Sequence, residues 1–317
     1  MNLPAASTSL FRTALVSARD AAGSQDYPQG TLYIVATPIG NLADITLRAL
    51  HVLELADAIA CEDTRHTQSM LRAYGIDRKA GSQLLAVHQH NEAQAAQGVL
   101  ARLQEGQRIA YVSDAGTPGV SDPGARLAAA VRAAGHRVMP LPGASSVTTL
   151  LSAAGLVAQD TDDYSAFVFA GFLPSKATER DTAIQRLAGE ARAVVLLEAP
   201  HRIEALARAV AVLGERPITV GRELTKQFED IDTVRADALT DWLAAKEQRT
   251  RGEFALVLHP VAASGDATAD EGERVLRLLL PELPVKSAVR LAAEITGAPR
   301  NALYDRALQL RKEGDEE

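Results

Sequence analysis

The sequence has little of what would assign it to a secreted, membrane or strongly basic class of protein. Its 317 residues include a single cysteine, Cys61, which excludes an internal disulfide and predicts a reducing compartment, the cytoplasm. No stretch approaches the ~18 uninterrupted apolar residues of a membrane-spanning helix. The formal net charge is −7, which argues against a protein that coats nucleic acid through bulk positive charge.

Two nucleotide-binding motifs are also missing from the glycine-rich stretch at residues 113–124. It contains neither the dinucleotide pattern G-x-G-x-x-G nor the phosphate loop G-x-x-x-x-G-K-[ST]. An apolar run at residues 108–112 instead predicts a strand, then a tight loop, then a helix that begins at Pro123 with Asp122 as its cap. An ordinary glycine-rich turn would fit this stretch equally well. Asp114 at the loop entrance disfavours an anion and suits a cation or a hydroxyl donor.

Apolar segments of strand length alternate with helical patterns along most of the chain, which predicts an α/β fold. The first alternating set is regular and predicts a parallel sheet, whereas the second is less regular and predicts a mixed sheet. We therefore expect two α/β domains and a small C-terminal helical segment, the latter preceded by a flexible tether at residues 261–272. The predicted boundaries are a disordered N-terminal arm at residues 1–29, α/β domains at 30–155 and 165–260, and the helical segment at 273–312.

Four polar clusters each follow a predicted strand of the first domain directly. They lie at residues 37–41, 62–65, 88–92 and 114–118. Because the carboxyl ends of parallel strands share one edge of a sheet, we expect these loops to converge on one cleft. Such convergence favours a functional site over a set of unrelated turns.

The motifs in these loops resemble those of the tetrapyrrole methylase superfamily. Within it, the chain is most similar to the ribosomal RNA small subunit methyltransferase I family, and the resemblance covers about residues 30–310. The matching segments are TPIGNL (37–42), EDTRHT (62–67), HNE (90–92), SDAGTPGVSDPG (113–124), PLPGASS (140–146), GFLP (171–174), RELTK (222–226) and LPVKSAVRLAAEITG (283–297).

The resemblance implies two α/β domains of the tetrapyrrole-methylase type with a cofactor cleft between them. It implies an enzyme that transfers a methyl group from S-adenosylmethionine to the ribose 2′-hydroxyl of a cytidine in the decoding region of small-subunit (16S) ribosomal RNA. The expected partners are that RNA or the assembled 30S subunit and a second copy of the chain, with no membrane. A same-fold methyltransferase of a tetrapyrrole or other small molecule, and a non-catalytic ribosome-binding factor, are the alternatives.

The resemblance also assigns residues to the cofactor, which combines a sulfonium cation, an adenine and an amino-acid end. Such a molecule needs apolar walls and backbone polar groups, and hydroxyls and amides at a helix N-terminus suit its carboxylate. The expected cofactor-binding residues are Pro38, Ile39, Gly40, Asp114, Ala115, Gly116, Thr117, Pro118, Ser145 and Ser146 from the first domain, with Phe172, Leu173, Pro174, Leu224 and Gly252 from the second.

A carboxylate is the expected catalytic group, because the acceptor hydroxyl is a weak acid and benefits from a general base or a strong orienting hydrogen bond. The candidates are Glu62, Asp63 and Asp114, with Glu253 as a further one. Glu62 could equally be a carboxylate favoured by the dipole at a helix N-terminus. The sequence leaves the identity of the base open.

The expected substrate-binding residues are Arg65, His90, Asn91, Lys286 and Arg290. Arg65 could bind phosphate or pair with Asp63, and Asn91 could contact substrate or cap a helix. His88 and His90 have no clear third ligand, so no metal site is expected. From residue 274 to residue 312 the chain has eight basic and three acidic residues, an excess of five, which fits phosphate contacts or a solvated helical cap.

Overall fold

The computed structural model describes residues 5–76, 83–88, 91–156, 166–261 and 265–315, with side chains at all of these except 5–10, 265–270 and 312–315. By their contacts the residues form two compact units. One comprises Met1–Gly155, Phe169–Arg180 and Val195–Leu258, and the other comprises Leu156–Val168, Asp181–Val194 and His259–Glu317. Within the described ranges, no helix is long and apolar enough to cross a membrane.

The first α/β part is built on a five-stranded parallel sheet with the order β3-β2-β4-β1-β5. Its central strands are apolar and buried on both faces, as is usual when helices cover a parallel sheet. The elements are α1 (Ala5–Ala22), β1 (Thr31–Val35), α2 (Leu47–Leu55), β2 (Ala58–Cys61), α3 (Thr64–Tyr74), β3 (Leu84–Ala86), α4 (Glu92–Gln104), β4 (Ile109–Val112), α5 (Gly124–Ala133), β5 (Arg137–Leu141) and α6 (Ser146–Ala153).

A second five-stranded sheet has the order β6-β7-β10-β8-β9, and β8 runs antiparallel to both of its neighbours. The sheet is therefore not wholly parallel, as the irregular spacing predicts. Its elements are β6 (Phe167–Gly171), α7 (Ala177–Ala188), β7 (Ala193–Glu198), α8 (Ile203–Val210), β8 (Pro217–Arg222), β9 (Asp230–Arg235), α9 (Leu239–Ala244) and β10 (Phe254–Leu258).

Three helices form the C-terminal helical segment: α10 (Gly265–Leu279), α11 (Val285–Thr296) and α12 (Arg300–Asp315). They share an apolar cluster that includes Leu276, Val289 and Leu303. Helix α11 ends at Gly297, whose φ of 75° is the left-handed conformation that favours glycine at a helix end. The prediction of two α/β parts followed by a helical segment is confirmed.

The prediction of a disordered N-terminal arm is wrong, because most of that stretch forms helix α1. Leu15 and Ala18 are buried, and the ring of Phe11 meets that of Tyr74 edge-on at 5.2 Å between centroids. Alanine is the best helix former, and its small side chain permits close packing against α2. An alanine-rich composition therefore indicated a helix here rather than disorder.

Two smaller expectations also change. Helix α10 begins inside the predicted flexible tether, at Gly265. Helix α5 begins at Gly124 rather than at Pro123. Helix α2 is capped by Thr46, whose hydroxyl accepts from Ala49 N at 3.1 Å. Residues 157–165, between the two predicted α/β domains, lie outside the described residues.

Candidate functional site

The loops that follow β1, β4 and β5 are fastened to one another by hydrogen bonds at the carboxyl edge of the first sheet. Thr37 N donates to Gly116 O at 2.9 Å, and Gly116 N donates to Thr37 O at 3.1 Å. The hydroxyl of Thr117 donates to Ala144 O at 2.9 Å. At Gly116 the φ is 81°, and an added Cβ would lie 3.1 Å from Ile39 Cγ2. The loops after β1 and β4 therefore converge as expected, the loop after β5 joins them, and glycine permits the close approach at Gly116.

The loops that follow β2 and β4 are joined by two reciprocal hydrogen bonds. Asp114 N donates to the Glu62 carboxylate at 3.2 Å, and Asp63 N donates to the Asp114 carboxylate at 3.2 Å. The carboxylate of Asp63 itself caps α3 by accepting from the backbone N–H groups of Arg65 and His66. Each acidic side chain in this trio thus has a different backbone partner.

The same contacts separate the pKa values of the two adjacent acids. Burial raises the pKa of half-buried Glu62, the bond from Asp114 N opposes that rise, and the nearby charges of Asp114 and Asp122 add to it. The bonds from Arg65 N and His66 N lower the pKa of Asp63. Glu62 is therefore the acid of this pair whose environment favours taking up a proton.

Asp122 holds the glycine-rich loop from inside. Its carboxylate accepts from Gly119 N at 2.7 Å, Gly124 N at 2.8 Å and the Tyr111 hydroxyl at 3.2 Å. Asp122 was expected to be the N-cap of α5, but the helix starts one residue later than predicted and Pro123 holds the N-cap position. The Asp122 carboxylate still accepts from Gly124 N, the first residue of the helix. Burial raises the pKa of Tyr111, so its hydroxyl stays protonated and donates to Asp122.

Two adjoining cavities open among these loops. The smaller, which we name the polar chamber, has a volume of about 120 Å³. The larger, which we name the apolar cleft, has a volume of about 360 Å³. The residues that line both are Ala115, Ser121, Ser146 and Leu197. The chamber is otherwise lined by Glu62, Ser113, Gly116, Thr117, Val120, Asp122 and Ser145. The cleft is otherwise lined by Ile39, Phe172, Glu198, Ala199, Pro200, Leu224, Glu253, Phe254 and Ala255.

About half of the predicted cofactor residues line one of these cavities. They are Ile39, Ala115, Gly116, Thr117, Ser145, Ser146, Phe172 and Leu224. In the described part of the chain the other seven line neither cavity: Pro38, Gly40, Asp114, Pro118, Leu173, Pro174 and Gly252.

Several lining residues were missed by the sequence analysis. One group, 197–200, spans the end of strand β7, and the other, 254–255, begins strand β10. A signal existed for the first group, because polar residues Glu198, His201 and Arg202 follow an apolar strand there, as they do after β1 and β2. The rule applied to the first domain would have found them in the second.

The loop after β8 is strained and tightly packed. Glu223 and Thr225 have positive φ values of 53° and 66°, which cost energy in residues other than glycine. Lys226 Nζ lies 2.8 Å from Glu223 Oε1 and 3.0 Å from Glu253 Oε2. A Cβ at Gly252, whose φ is 91°, would lie 2.5 Å from Glu223 Cγ.

This loop also explains the position of Gly40, because an added Cβ there would collide with the Lys226 side chain. Next to it, Asn41 N donates to the Thr225 hydroxyl at 3.1 Å. Gly40 and Gly252 thus pack against the strained loop.

The predicted substrate residues that the structure describes belong to three separate elements: helix α3, the turn before α4, and helix α11. The side chain of Arg65 is 93% exposed and its Nε lies 3.8 Å from Asp63. Asn91 fastens its own loop, accepting from His88 N and donating to Ala86 O. Lys286 and Arg290 are exposed on α11, where Arg290 pairs with Glu294 at 3.1 Å.

Two further points concern the histidine loop and metals. His90 lies outside the described residues. Among the described residues no group of three or more His, Cys, Asp and Glu side chains could hold a metal ion.

Comparison with known families matches nearly the whole chain in two parts. Residues 31–240 match the model of the tetrapyrrole (corrin/porphyrin) methylases. Residues 266–311 match that of the RsmI C-terminal HTH domain. The second match falls on helices α10 to α12.

Similar solved structures share the fold at low sequence identity. Cobalt precorrin-4 methyltransferase, a cobalamin biosynthetic enzyme, is 18% identical with a TM-score of 0.51, over 74% of this chain and 98% of that one. Diphthine synthase is 15% identical with a TM-score of 0.54, over 72% of this chain and 90% of that one. The fold is therefore that of the tetrapyrrole methylases.

Curated relatives are far more similar in sequence, and they bear one name, ribosomal RNA small subunit methyltransferase I. The protein from Escherichia coli O157:H7 is 47% identical over 90% of this chain and 97% of its own. That from Xylella fastidiosa is 46% identical over 87% of this chain and 98% of its own. That from Pseudomonas aeruginosa is 45% identical over 88% of this chain and 97% of its own. The chain belongs to the ribosomal RNA small subunit methyltransferase I family, whose members are S-adenosylmethionine-dependent methyltransferases of the tetrapyrrole methylase fold.

Proposed function

We propose that this chain methylates the ribose 2′-hydroxyl of a cytidine in the decoding region of small-subunit ribosomal RNA. The cofactor lies in the apolar cleft, and the acceptor hydroxyl enters the polar chamber. The observation that carries the proposal is the position of Glu62. This carboxylate has a raised pKa, is held by Asp114 N, and lines a chamber that adjoins a cleft large enough for part of a nucleoside.

The residues around the apolar cleft fit S-adenosylmethionine. Ile39, Leu224 and Phe172 provide apolar surface for an adenine. Ser145 and Ser146 stand at the N-terminus of α6 and offer hydroxyls and amides to a carboxylate. When bound, the cofactor supplies an electrophilic methyl group on a sulfonium. Ala115 and Ser146 line both the cleft and the chamber, while Gly116 and Thr117 line the chamber.

The remaining predicted cofactor residues do not line the cavities and act through the residues that do. Their contacts support the loops that line the cleft: Gly40 and Gly252 pack against the strained loop after β8. Pro38, Pro118 and Leu173 each adjoin a lining residue in the chain, and Pro174 follows Leu173.

Glu62 is the general base in this proposal. A carboxylate of raised pKa accepts the proton of a hydroxyl more readily than an ordinary one, provided that it is ionised at the working pH. Asp63 is less suited, because its oxygens cap α3 and its pKa is lowered. Asp114 positions Glu62 through its backbone N–H and positions Asp63 through its carboxylate.

RNA contacts are assigned to exposed cations of the helical segment. Arg274, Arg277 and Arg306 are engaged in ion pairs with Glu271 or Glu273. Among the described side chains of the helical segment, three exposed cations have no ion pair: Lys286, Arg300 and Arg311. Arg290 contacts Glu294 through a single nitrogen at 3.1 Å, whereas Arg274 makes two shorter bonds to Glu271. The looser Arg290 pair therefore exchanges more readily for a phosphate.

Tyr304 is a further candidate for RNA contact. It lies one helical turn after Arg300 and is partly exposed, so it could stack on a base. Arg65 and the loop of His90 and Asn91 are further proposed contacts at the first sheet. The protein is proposed to act in the cytoplasm, as a homodimer, on ribosomal RNA or the assembled 30S subunit.

The test is the modification itself. A strain that lacks the gene should lose one ribose methyl on a cytidine of its small-subunit RNA, as measured by mass spectrometry of nuclease fragments. The wild-type gene should restore the methyl group and Glu62→Gln should not. A methyl group that persists in the deletion strain would refute the assigned substrate, as would a purified protein that methylates a tetrapyrrole but neither ribosomal RNA nor subunits.

A further inference from the structure

We infer that Arg202 is a positioning residue that holds the segment Gly171–Pro174 as one wall of the apolar cleft. It acts on cofactor binding through this segment and does not touch the reactants. The inference rests on the proposed function, because it takes the apolar cleft to be the cofactor site. Neither Arg202 nor its partner Glu198 belongs to any of the loops of the first sheet.

Arg202 is held by a buried carboxylate. Glu198, the last residue of β7, is only 3% exposed and lines the apolar cleft. Its Oε1 accepts from Ala199 N at 2.9 Å and lies 3.0 Å from Arg202 Nε. The Nε–H makes no hydrogen bond in the described structure, so the contact is ionic rather than directional. A buried carboxylate without a cation is costly, and this fixes the guanidinium beside Glu198.

The other end of the guanidinium holds the chain that follows β6. Arg202 Nη2 donates to Leu173 O. Gly171, at the end of the strand, has a φ of 65°, which turns the backbone sharply away from the sheet. Leu173 is buried, whereas its neighbour Phe172 is 52% exposed and lines the apolar cleft. One charge-assisted bond therefore fixes the carbonyl next to an exposed ring.

The two ends of this arrangement belong to the same cavity. Glu198, which one end of the guanidinium faces, lines the cleft together with Ala199 and Pro200. Phe172, next to the carbonyl that the other end holds, lines the same cleft. A planar guanidinium can face Glu198 and reach Leu173 O together, whereas a lysine ammonium offers a single point of charge. The width of the cleft at Phe172 thus depends on Arg202, while Glu62 and the polar chamber do not contact it.

The experiment compares Arg202→Met and Arg202→Lys with the wild-type protein, using S-adenosylhomocysteine as the probe in calorimetry. Loss of a hydrogen bond to a charged group predicts an affinity about tenfold lower or worse for Arg202→Met. Arg202→Lys should fall between the two. In RNA methylation assays, KM for S-adenosylmethionine should rise while kcat at saturation and KM for RNA stay near wild type.

Hydrogen exchange gives an independent readout of the segment itself. The backbone amides of Phe172, Leu173 and Ser175 should exchange faster in both Arg202 variants, Pro174 having no N–H. Arg208→Met is the matched control, because Arg208 lies on the adjoining helix α8 in an exposed pair with Glu204 at 3.9 Å. The control should leave affinity and exchange unchanged.

Folded Arg202 variants with wild-type affinity and wild-type exchange at residues 172–175 would overturn the inference. If Arg202→Met fails to fold, Arg202→Lys and Glu198→Gln carry the same test, because both keep most of the local volume. A wild-type protein that fails to bind S-adenosylhomocysteine would refute the proposed cofactor site instead. The exchange measurement would still decide whether Arg202 positions the segment.

Discussion

Two glutamates in two regions of the molecule have pKa values shifted in opposite directions. At the edge of the first sheet, burial and neighbouring acids raise the pKa of Glu62, although a backbone N–H opposes the rise. In the helical segment, Glu273 Oε2 lies 2.8 Å from Arg306 Nε, and Glu273 Oε1 lies 2.6 Å from Arg277 Nη2. These two guanidinium groups lower the pKa of Glu273 to about 2.

The difference shows how partner type decides what a carboxylate can do. Backbone amides position Glu62 without a full positive charge, so the group keeps its capacity to take up a proton. Arginine partners keep Glu273 ionised and make it a structural group. The same pairing also occupies arginines that the composition alone would count toward RNA binding.

The strongest test of this comparison is Glu62→Gln. The amide keeps the shape of the side chain but cannot accept a proton, so we expect kcat to fall by about 100-fold or more. Affinity for S-adenosylhomocysteine should change little. In the wild-type enzyme kcat/KM should fall as the pH drops through the raised pKa of Glu62, because protonation removes the base.

The matched control is Glu105→Gln, an exposed acid at the end of α4, which should keep wild-type activity. Near-normal methylation by Glu62→Gln would show that Glu62 is not the general base. Another group would then have to accept the proton.

A somewhat smaller effect is expected from Asp114→Ala. Removing the carboxylate breaks its bond with Asp63 N and loosens the loop that carries Ala115 and Gly116. We expect weaker binding of S-adenosylhomocysteine, by about tenfold, together with a loss of methylation. Asp114→Asn keeps an oxygen acceptor for the same N–H and should recover most of the affinity in calorimetry. If Asp114→Ala and Asp114→Asn lower the affinity equally, the charge of Asp114 matters and its hydrogen bond with Asp63 N does not.

Much of this arrangement could be predicted because βα alternation implies parallel strands whose carboxyl ends share one edge of the sheet. The apolar runs gave the parallel sheet, and the sheet put the turns at Gly40, Glu62 and Gly116 on one edge. Sequence spacing could not tell the roles of Glu62 and Asp63 apart, since both follow β2 directly. Only the backbone geometry shows that Asp63 caps α3 while Glu62 lines the polar chamber.

The second sheet was harder to predict for a physical reason. One of its cleft residues, Glu253, has its ion-pair partner, Lys226, 27 positions away in the chain. Such pairs leave no periodic signal in the chain. The ion pairs of the helical segment could not be predicted from the sequence for a related reason, because Arg306 pairs with Glu273, 33 positions away.

A third test asks which cations of the helical segment are available to contact RNA phosphates. Arg300→Ala should weaken binding to small-subunit RNA by a few-fold and lower the slope of log affinity against log salt by about 1. Arg274→Ala removes the same charge from a group already paired with Glu271, so it should change neither quantity appreciably. Filter binding at several salt concentrations measures both. Equal effects of the two substitutions would show that ion pairing does not decide which of these arginines binds RNA.

The smallest expected effect concerns the stability of the same segment at low pH. The folded pKa of Glu273 is about 2, below the unfolded value of about 4.3. Its ionised form therefore stabilises the fold fully above the unfolded value, and this contribution is lost as the pH falls from about 5 toward 2. Glu273→Gln removes the contribution at every pH, so variant and wild type should differ in amide protection of α12 at pH 7 and converge near pH 2. Hydrogen exchange of α12 at pH 7, 4 and 3, corrected for intrinsic rates, measures the difference. A gap between the two proteins that stays constant across that range would mean that Glu273 is not stabilised as an anion by Arg277 and Arg306.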